Sequence, residues 1–377
     1  MYLTFLRRTD IQQYSFEKQY AALRQGQELP LDRDLPYKRT HTVEVETASL
    51  STGNQSNMYV ELQMLTQKYN RWDNRTDYAV PAYTQFMIPK RSGGLRTIDA
   101  PHETLKELQS AIAEYFQKVC KMHSHDAAFA YIPGRCALHA VQKHKNNRWF
   151  LKLDIQDFFP SMTIQFVQDT LKQLFPLAVT WDELVHRKLL QYLDVCFLRG
   201  ALPQGSPASP LLSNLCMIPF DTAINKALQD FDGHNFTYTR YADDMLISAS
   251  HDFDWHKVQD LVQSKLGTTF RLKQSKTRYA SNSGRNWNLG LMLNQDNNIT
   301  VGHARKERTK AMMFSLMKDG MASTLTLQEL QVLQGEIAYV ASIEPAYIQA
   351  LDAKYQNKLQ SSSYAAILKQ LIKARLP

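Results

Sequence analysis

Phe236-Thr237-Tyr238-Thr239-Arg240-Tyr241-Ala242-Asp243-Asp244-Met245-Leu246-Ile247-Ser248 decides the fold. Two runs rich in β-branched, aromatic and aliphatic residues flank Ala242-Asp243-Asp244, the pattern of a β-hairpin folded over a polar tip. A second stretch, Trp149-Phe150-Leu151-Lys152-Leu153-Asp154-Ile155, is a mostly apolar strand of the kind buried on both faces, and it ends on a carboxylate. Neighbouring strands lie ~4.8 Å apart, so a strand-end Asp154 beside a hairpin tip bearing Asp243 and Asp244 can make one hard-oxygen site. Such a set suits Mg²⁺, which takes few protein carboxylates and completes its shell with water and substrate phosphates. Two ions about 3.5–4 Å apart can activate an attacking 3′-oxygen and steady a leaving pyrophosphate. An Asp-Asp pair alone is more often a turn former, so the surroundings must decide.

Upstream, Tyr83 to Pro89 reads as a strand ending at a proline. A Lys90-Arg91-Ser92-Gly93-Gly94-Leu95-Arg96 loop follows, then a returning strand over Thr97 to Pro101 and a helix from His102 to Cys120. Past the first carboxylate, Pro160 is expected to open a helix running to Phe175. Ser209 is expected as an N-cap with Pro210 first in a helix to about Asp230. Residues 1–57 form an N-terminal extension to which no role is assigned. Within it Asp10 to Gln25 is expected as a helix, Val43 to Glu46 as a short edge strand and Ser49 to Asn57 as a linker; Met58 to Tyr69 then has helical spacing. The tail, Lys306 to Pro377, is helical in composition.

Composition narrows the class. With 44% hydrophobic and 21% charged residues, disorder is excluded as the dominant state. No run approaches the ~20 apolar residues of a membrane span, and none near Met1 reads as a signal peptide, so no membrane partner is expected. Cys120, Cys136, Cys196 and Cys216 stand far apart with no CxxC pair. That spacing argues against a disulfide framework or structural zinc and favours a reducing cytoplasm. The 44 Lys and Arg against 36 Asp and Glu give +8, with the excess in the middle and C-terminal parts of the chain. A polyanionic partner fits that balance, as does a solvated basic surface.

Tyr241-Ala242-Asp243-Asp244 resembles the YxDD signature of reverse transcriptases, and Leu153-Asp154-Ile155-Gln156-Asp157-Phe158-Phe159 their first catalytic motif. Leu202-Pro203-Gln204-Gly205-Ser206-Pro207-Ala208-Ser209-Pro210-Leu211-Leu212-Ser213-Asn214 resembles the second, and the three stand in the family's order. Ile88 to Arg96 is similar to the fingers loop that closes on the incoming nucleotide, and Ala128-Phe129-Ala130-Tyr131-Ile132-Pro133-Gly134-Arg135 to an FxYxxGR segment of bacterial members, with Cys136 where the family has serine. Leu272-Lys273-Gln274-Ser275-Lys276-Thr277 resembles the motif after the hairpin, and Asn288-Leu289-Gly290-Leu291 the primer-grip turn.

The resemblance covers about residues 80–305. It implies an α+β right-hand polymerase, with fingers and palm over 58–305 (an antiparallel sheet with helices) and a helical thumb over 306–377. Asp154, Asp243 and Asp244 would be the catalytic carboxylates, binding two Mg²⁺ ions (Mn²⁺ a substitute) with the Ile155 carbonyl. Lys90, Arg96, Ile155, Phe159 and Gln204 would bind the nucleotide. Lys276 would protonate pyrophosphate, although the residue alone fits a solvated surface lysine equally well. Phe159 stands where the family places a side chain under the C2′ of the nucleotide, and a ring there favours deoxynucleotides; Phe158 is the expected core neighbour. Arg305, Lys306, Arg308 and Lys310 open the thumb, where a helix could lie along a phosphate backbone.

The implied activity is RNA-directed DNA polymerisation, a nucleotidyl transfer from dNTPs onto a DNA or RNA primer. The RNA template could be a dedicated non-coding RNA, and an effector or second protein could complete a defence system. Gln204-Gly205-Ser206-Pro207 separates the chain from diversity-generating enzymes. Ala140 to His144 only loosely resembles the retron Asn-Ala-x-x-His, so retron-like and other antiviral defence-associated groups both stay open. The alternative is a maturase-like protein that grips structured RNA, with polymerisation secondary; an RNA polymerase is disfavoured by Phe159.

Overall fold

The computed structural model describes residues 62, 64–68, 82–89, 93–119, 124–174, 193–231, 233, 235–281, 286–294 and 296–376. The expectations for residues 1–57, for most of Met58 to Tyr69, and for Lys90 and Cys120 lie outside them.

The elements follow the sequence pattern closely where the signals are local. Strands β1 (Tyr83–Pro89) and β2 (Leu95–Pro101) pair antiparallel in a register that sets Ile88 opposite Arg96. Gly93 and Gly94 between them have φ of +86° and +80°, which other residues adopt only with strain. Helix α1 (Glu103–Val119) follows, then α2 (Ala137–Lys143) and β3 (Trp149–Asp154). Cys136 is the N-cap of α2, and its side chain makes no capping bond to the backbone.

Helix α3 spans Ile164–Leu174 and so begins four residues later than Pro160 suggested. Residues 157–161 instead form turns in which Ser161 N–H donates to Asp157 O, and the Thr163 hydroxyl accepts from Phe166 N–H as the helix starts. Helix α4 (Ser209–Gln229) has Ala208 as its N-cap. The Ser209 hydroxyl, expected to cap it, donates to the Pro203 carbonyl (2.9 Å) and ties the helix to the preceding loop.

Strands β4 (Thr237–Tyr241) and β5 (Asp244–Ala249), helix α5 (Trp255–Leu266) and strands β6 (Arg278–Ser281), β7 (Asn286–Asn288), β8 (Leu291–Leu293) and β9 (Ile299–Thr300) continue the chain. Helices α6 (His303–Asp319), α7 (Leu327–Ile343), α8 (Pro345–Leu359) and α9 (Tyr364–Arg375) end it. One four-stranded sheet has the order β4-β5-β3-β6, and a three-stranded one the order β7-β8-β9.

The chain divides into two compact units. The first holds the described residues up to Arg135 together with Lys152–Ile247 and Phe253–Arg278. Its core includes Leu153, Leu215, Ile218, Ile247, Val258 and Phe270, all within 1% exposure, so α4 and α5 bury apolar faces among the strand side chains. The second holds Cys136–Leu151, Ser248–Asp252 and the chain from Tyr279. There Leu291, Met313, Leu330, Ile337 and Leu371 are buried, and α7 starts on a reciprocal Thr326–Glu329 capping box. His144 is buried against Ser248 Oγ (2.6 Å), and burial lowers its imidazole to about 3, which keeps it neutral.

The cations at the start of the C-terminal helices have acidic partners that the sequence alone did not name. Arg305 forms a two-pronged bond to Glu336 (2.7 and 3.0 Å), Lys306 pairs with Glu344 and Lys310 with Glu307. Three of the four cations are therefore paired within the unit, and of the four only Arg308 lacks an acidic partner among the described residues. Among the described residues no helix is long and apolar enough to cross a membrane.

Candidate active site

Strand β3 delivers Asp154 to the end of the sheet, buried to 4% exposure. The next residue fixes its neighbour: Ile155 N–H donates to the Asp243 carbonyl at 2.9 Å, joining the strand end to the hairpin tip. On the other side Lys273 N–H donates to Asp154 O and Gln156 N–H to Arg271 O, both at 2.8 Å. The β4–β5 turn needs Ala242 in the left-handed region, φ 58°. It is held there from below: Arg240, fully buried, donates through Nη1 to the Ala242 carbonyl (3.1 Å) and through Nε and Nη2 to both Asp221 oxygens (2.8–3.0 Å). Tyr238 Oη donates to the same Asp221, and Asn214 accepts from Arg240 Nη2 (3.2 Å) while donating to the Ala130 carbonyl (2.8 Å).

The electrostatics show three carboxylates in mutual reach. Loss of hydration, then the charges of Asp243 and Asp154, push the Asp244 carboxyl up to about 6. Asp243 is raised as well, by burial first and by Asp154, with Lys276 and Arg96 opposing. Lys276 donates to Asp154 Oδ2. Burial works against its ammonium, but that bond and the surrounding acids outweigh it and raise its pKa. Lys152, half-buried on β3, is lowered to about 8 by desolvation, with Asp244 pulling the other way.

Among the described residues no three His, Cys, Asp or Glu side chains already form a ligand set. The donors nonetheless fit a hard cation: they are carboxylate oxygens that repel one another, Asp154 buried and Asp244 open to solvent, with a lysine ammonium drawn onto one of them.

The rest of the expected site spreads out from this centre. Phe158 is buried, its ring 6.2 Å from that of Phe270, whereas Phe159 is half-buried and its ring faces Tyr131 at 6.5 Å. Arg96 is exposed on β2 and within the electrostatic reach of Asp243. Gln204, half-buried, accepts from Asp99 N–H through its backbone carbonyl (2.8 Å), so the second motif is laced to β2. Gly205 is required there: its φ is +136° and a Cβ would overlap the Asp99 carbonyl oxygen. The structure thus brings Asp154, Ile155, Asp243, Asp244 and Lys276 together, with Arg96 in range.

Sequence reading missed Arg240 and Asp221, two charges set in apolar elements, whose partnership is visible only once β4 and α4 pack. It also passed over Tyr131, quoted in a motif but given no role.

A carboxylate at a strand end, a second pair on the adjacent hairpin tip and an α+β arrangement of sheets and helices fit a right-hand nucleotide polymerase. The profile described as "Reverse transcriptase (RNA-dependent DNA polymerase)" matches residues 88–309, and the chain belongs to that family. It is similar to the retron Ec83 reverse transcriptase of Escherichia coli, 28% identical over 288 residues that cover 72% of this chain and 86% of that one. The retron Ec73 reverse transcriptase of the same species is 29% identical over 287 residues, 72% and 87% of the two chains. A solved apo telomerase from Candida tropicalis matches with a TM-score of 0.49 at 12% identity, over 80% of this chain and 64% of that one, too loosely to add to the fold.

Proposed function

We propose that the chain copies an RNA template into DNA in a retron-like system, adding deoxynucleotides to a primer 3′ end at Asp154, Asp243 and Asp244. The observation that carries this is the Ile155 N–H to Asp243 carbonyl bond, which sets the strand-end carboxylate beside the hairpin pair inside a reverse transcriptase domain. Asp154, Asp243, Asp244 and the Ile155 carbonyl would hold divalent ions: two Mg²⁺, with Mn²⁺ as a substitute. Such ions would supply Lewis acidity toward the primer hydroxyl and positive charge against the triphosphate.

The chain's own residues do the rest. Arg96, with Lys90 of the same loop, binds the triphosphate. Gln204 lines the nucleotide site, anchored to β2. Phe159 lies under the sugar and leaves no room for a 2′-hydroxyl. Lys276, an ammonium at neutral pH as any lysine is, gives pyrophosphate the proton it needs on leaving. Residues 58–305 serve as fingers and palm, and 306–377, helical over α6–α9, as thumb. The similarity to retron enzymes supports a dedicated non-coding RNA as template and a defence role with an effector protein. The free thiols of Cys136, Cys196 and Cys216 suit a reducing cytoplasm.

Primer extension on a defined RNA template, with dNTPs or rNTPs and sequencing of the product, tests the reading. The expected product is complementary DNA. Preferential rNTP incorporation, or RNA binding with no extension, would overturn it.

A further inference from the structure

Residues 127–130 are strapped down from every side. Arg240 N–H donates to Ala127 O (2.7 Å) and Phe129 N–H returns a bond to Arg240 O (2.8 Å), so the segment runs against β4 just before the Ala242 turn. Asn214 Nδ2 holds Ala130 O (2.8 Å), and Arg135 Nη1 donates to Ala128 O (2.7 Å) and Asp126 O (3.1 Å). Ala127 through Ala130 are buried, and then the character of the chain changes abruptly: Tyr131 is 49% exposed with φ 63°. A bulky side chain in the left-handed region is uncommon, and such strain persists where the surroundings over-determine it. Four hydrogen bonds and a buried run over-determine it here, for a side chain that contributes little to the core.

The Tyr131 ring meets that of Phe159 with centroids 6.5 Å apart and planes tilted by 44°. Phe159 in turn leans on Phe158 (5.4 Å), which belongs to the core. The three rings form a series from the interior to the open surface, ending at Tyr131. The phenol also feels the site: burial first, then the charge of Asp243, raises its pKa, while Arg96 and Arg240 oppose. Tyr131 therefore stands among the aspartate of the hairpin tip, the arginine of the fingers hairpin and the ring at the C2′ position.

We infer that Tyr131 is a specificity-determining residue of the nucleotide site: its ring backs Phe159, and the two together form the wall against which the sugar of an incoming deoxynucleoside triphosphate packs. This rests on the reading of Phe159 as the sugar gate. Without the Tyr131 ring, Phe159 has free space on its open side and can swing away from the C2′ position. Discrimination against a 2′-hydroxyl then weakens, and the deoxynucleotide loses contact area.

The test is steady-state incorporation of a single dATP or ATP opposite uridine on one primed RNA template. Wild type is compared with Tyr131→Ala, Tyr131→Asn, Tyr131→Phe and Phe159→Ala. Asparagine tolerates the left-handed backbone, so Tyr131→Asn removes the ring without adding backbone strain and decides the matter if the alanine variant folds poorly. Aromatic pairs are worth roughly two- to tenfold in an equilibrium. Tyr131→Asn and Tyr131→Ala should thus lower the dATP:ATP preference by about two- to tenfold and raise the KM for dATP by a similar factor. Tyr131→Phe keeps the wall and should retain most of the discrimination. If both ring-less variants keep wild-type preference and KM while Phe159→Ala loses preference, Tyr131 lies outside the site and the gate stands. If Phe159→Ala also keeps wild-type preference, the gate reading falls and this inference with it. If Tyr131→Phe is as defective as Tyr131→Asn, the hydroxyl and not the ring is the determinant, and the wall is wrong.

Discussion

Replacing Asp221 by asparagine strikes the support of the catalytic turn without touching an aspartate of the hairpin tip. Asp221 and Arg240 are both fully buried, and three guanidinium contacts of 2.8–3.0 Å join them. Arginine cannot shed its proton in a protein, so Asp221→Asn leaves a buried cation facing a neutral amide. Breaking such a pair from one side costs about 3–5 kcal/mol. Tyr238 also loses the charged acceptor of its hydroxyl, which places the expectation in the upper half of that range.

The double variant Asp221→Leu/Arg240→Met removes both charges and should recover most of the lost stability, because apolar replacement of a buried pair is often neutral or better. Incorporation should not recover with it, since the Ala242 carbonyl loses its Nη1 donor and the left-handed turn loses its anchor. Denaturant melts followed by circular dichroism give the stability, and single-nucleotide extension gives the activity. An Asp221→Asn protein within about 0.5 kcal/mol of wild type, the usual spread for surface changes, would refute the burial argument. A double variant extending primers at the wild-type rate would remove Arg240 from the positioning of the turn.

Further expectations follow from single contacts. Gly205→Ala forces a Cβ into the Asp99 carbonyl and an alanine to φ +136°; about 1–3 kcal/mol of strain should appear as a lowered melting temperature together with a raised KM for dNTP. Unchanged values for both would mean that β2 does not abut the second motif. Arg96→Ala should raise the dNTP KM by roughly one to two decades, the worth of a charge-assisted phosphate bond, with RNA affinity retained. An effect on RNA binding alone would make Arg96 a template contact. Metal-free protein should show the raised Asp244 carboxyl as a pH dependence. Between 3.8 and about 6 the folded state holds a proton that the unfolded chain has released, so stability is lost as pH rises through that window. Asp244→Asn should lack that loss, and divalent cation should suppress it in wild type; parallel melting curves for the two proteins across the window would contradict the assignment.

Much of the fold was legible because its signals are local. The Ala242-Asp243-Asp244 tip, the Gly93-Gly94 turn and the apolar run before Asp154 each announce a strand end or hairpin within a few residues. The meeting of Asp154 with Asp243 and Asp244 was legible for the same reason, since each stands at a strand end or hairpin tip. Helix starts were less legible, because Pro160 and Ser209 carry capping chemistry that the tertiary structure uses otherwise: Pro160 sits in a turn, and the Ser209 hydroxyl goes to Pro203. The partners of the basic cluster at Arg305 were illegible for a related reason. Charge along one helix says nothing of the Glu336 and Glu344 that close over it from elsewhere in the chain. The Asp221–Arg240 pair and the left-handed Tyr131 were out of reach, since each depends on elements that meet only on packing.

The central claim is that Asp154, Asp243 and Asp244 run deoxynucleotide addition on RNA. Asp243→Asn removes one charge while keeping the shape of the turn. Single-dNTP incorporation on a primed RNA template, followed across a Mg²⁺ titration, measures the consequence directly. The account predicts Mg²⁺-dependent extension by wild type and a loss of several orders of magnitude in Asp243→Asn, with melting temperature and RNA affinity preserved. Wild-type rates in Asp243→Asn, or extension indifferent to divalent cation, would contradict it.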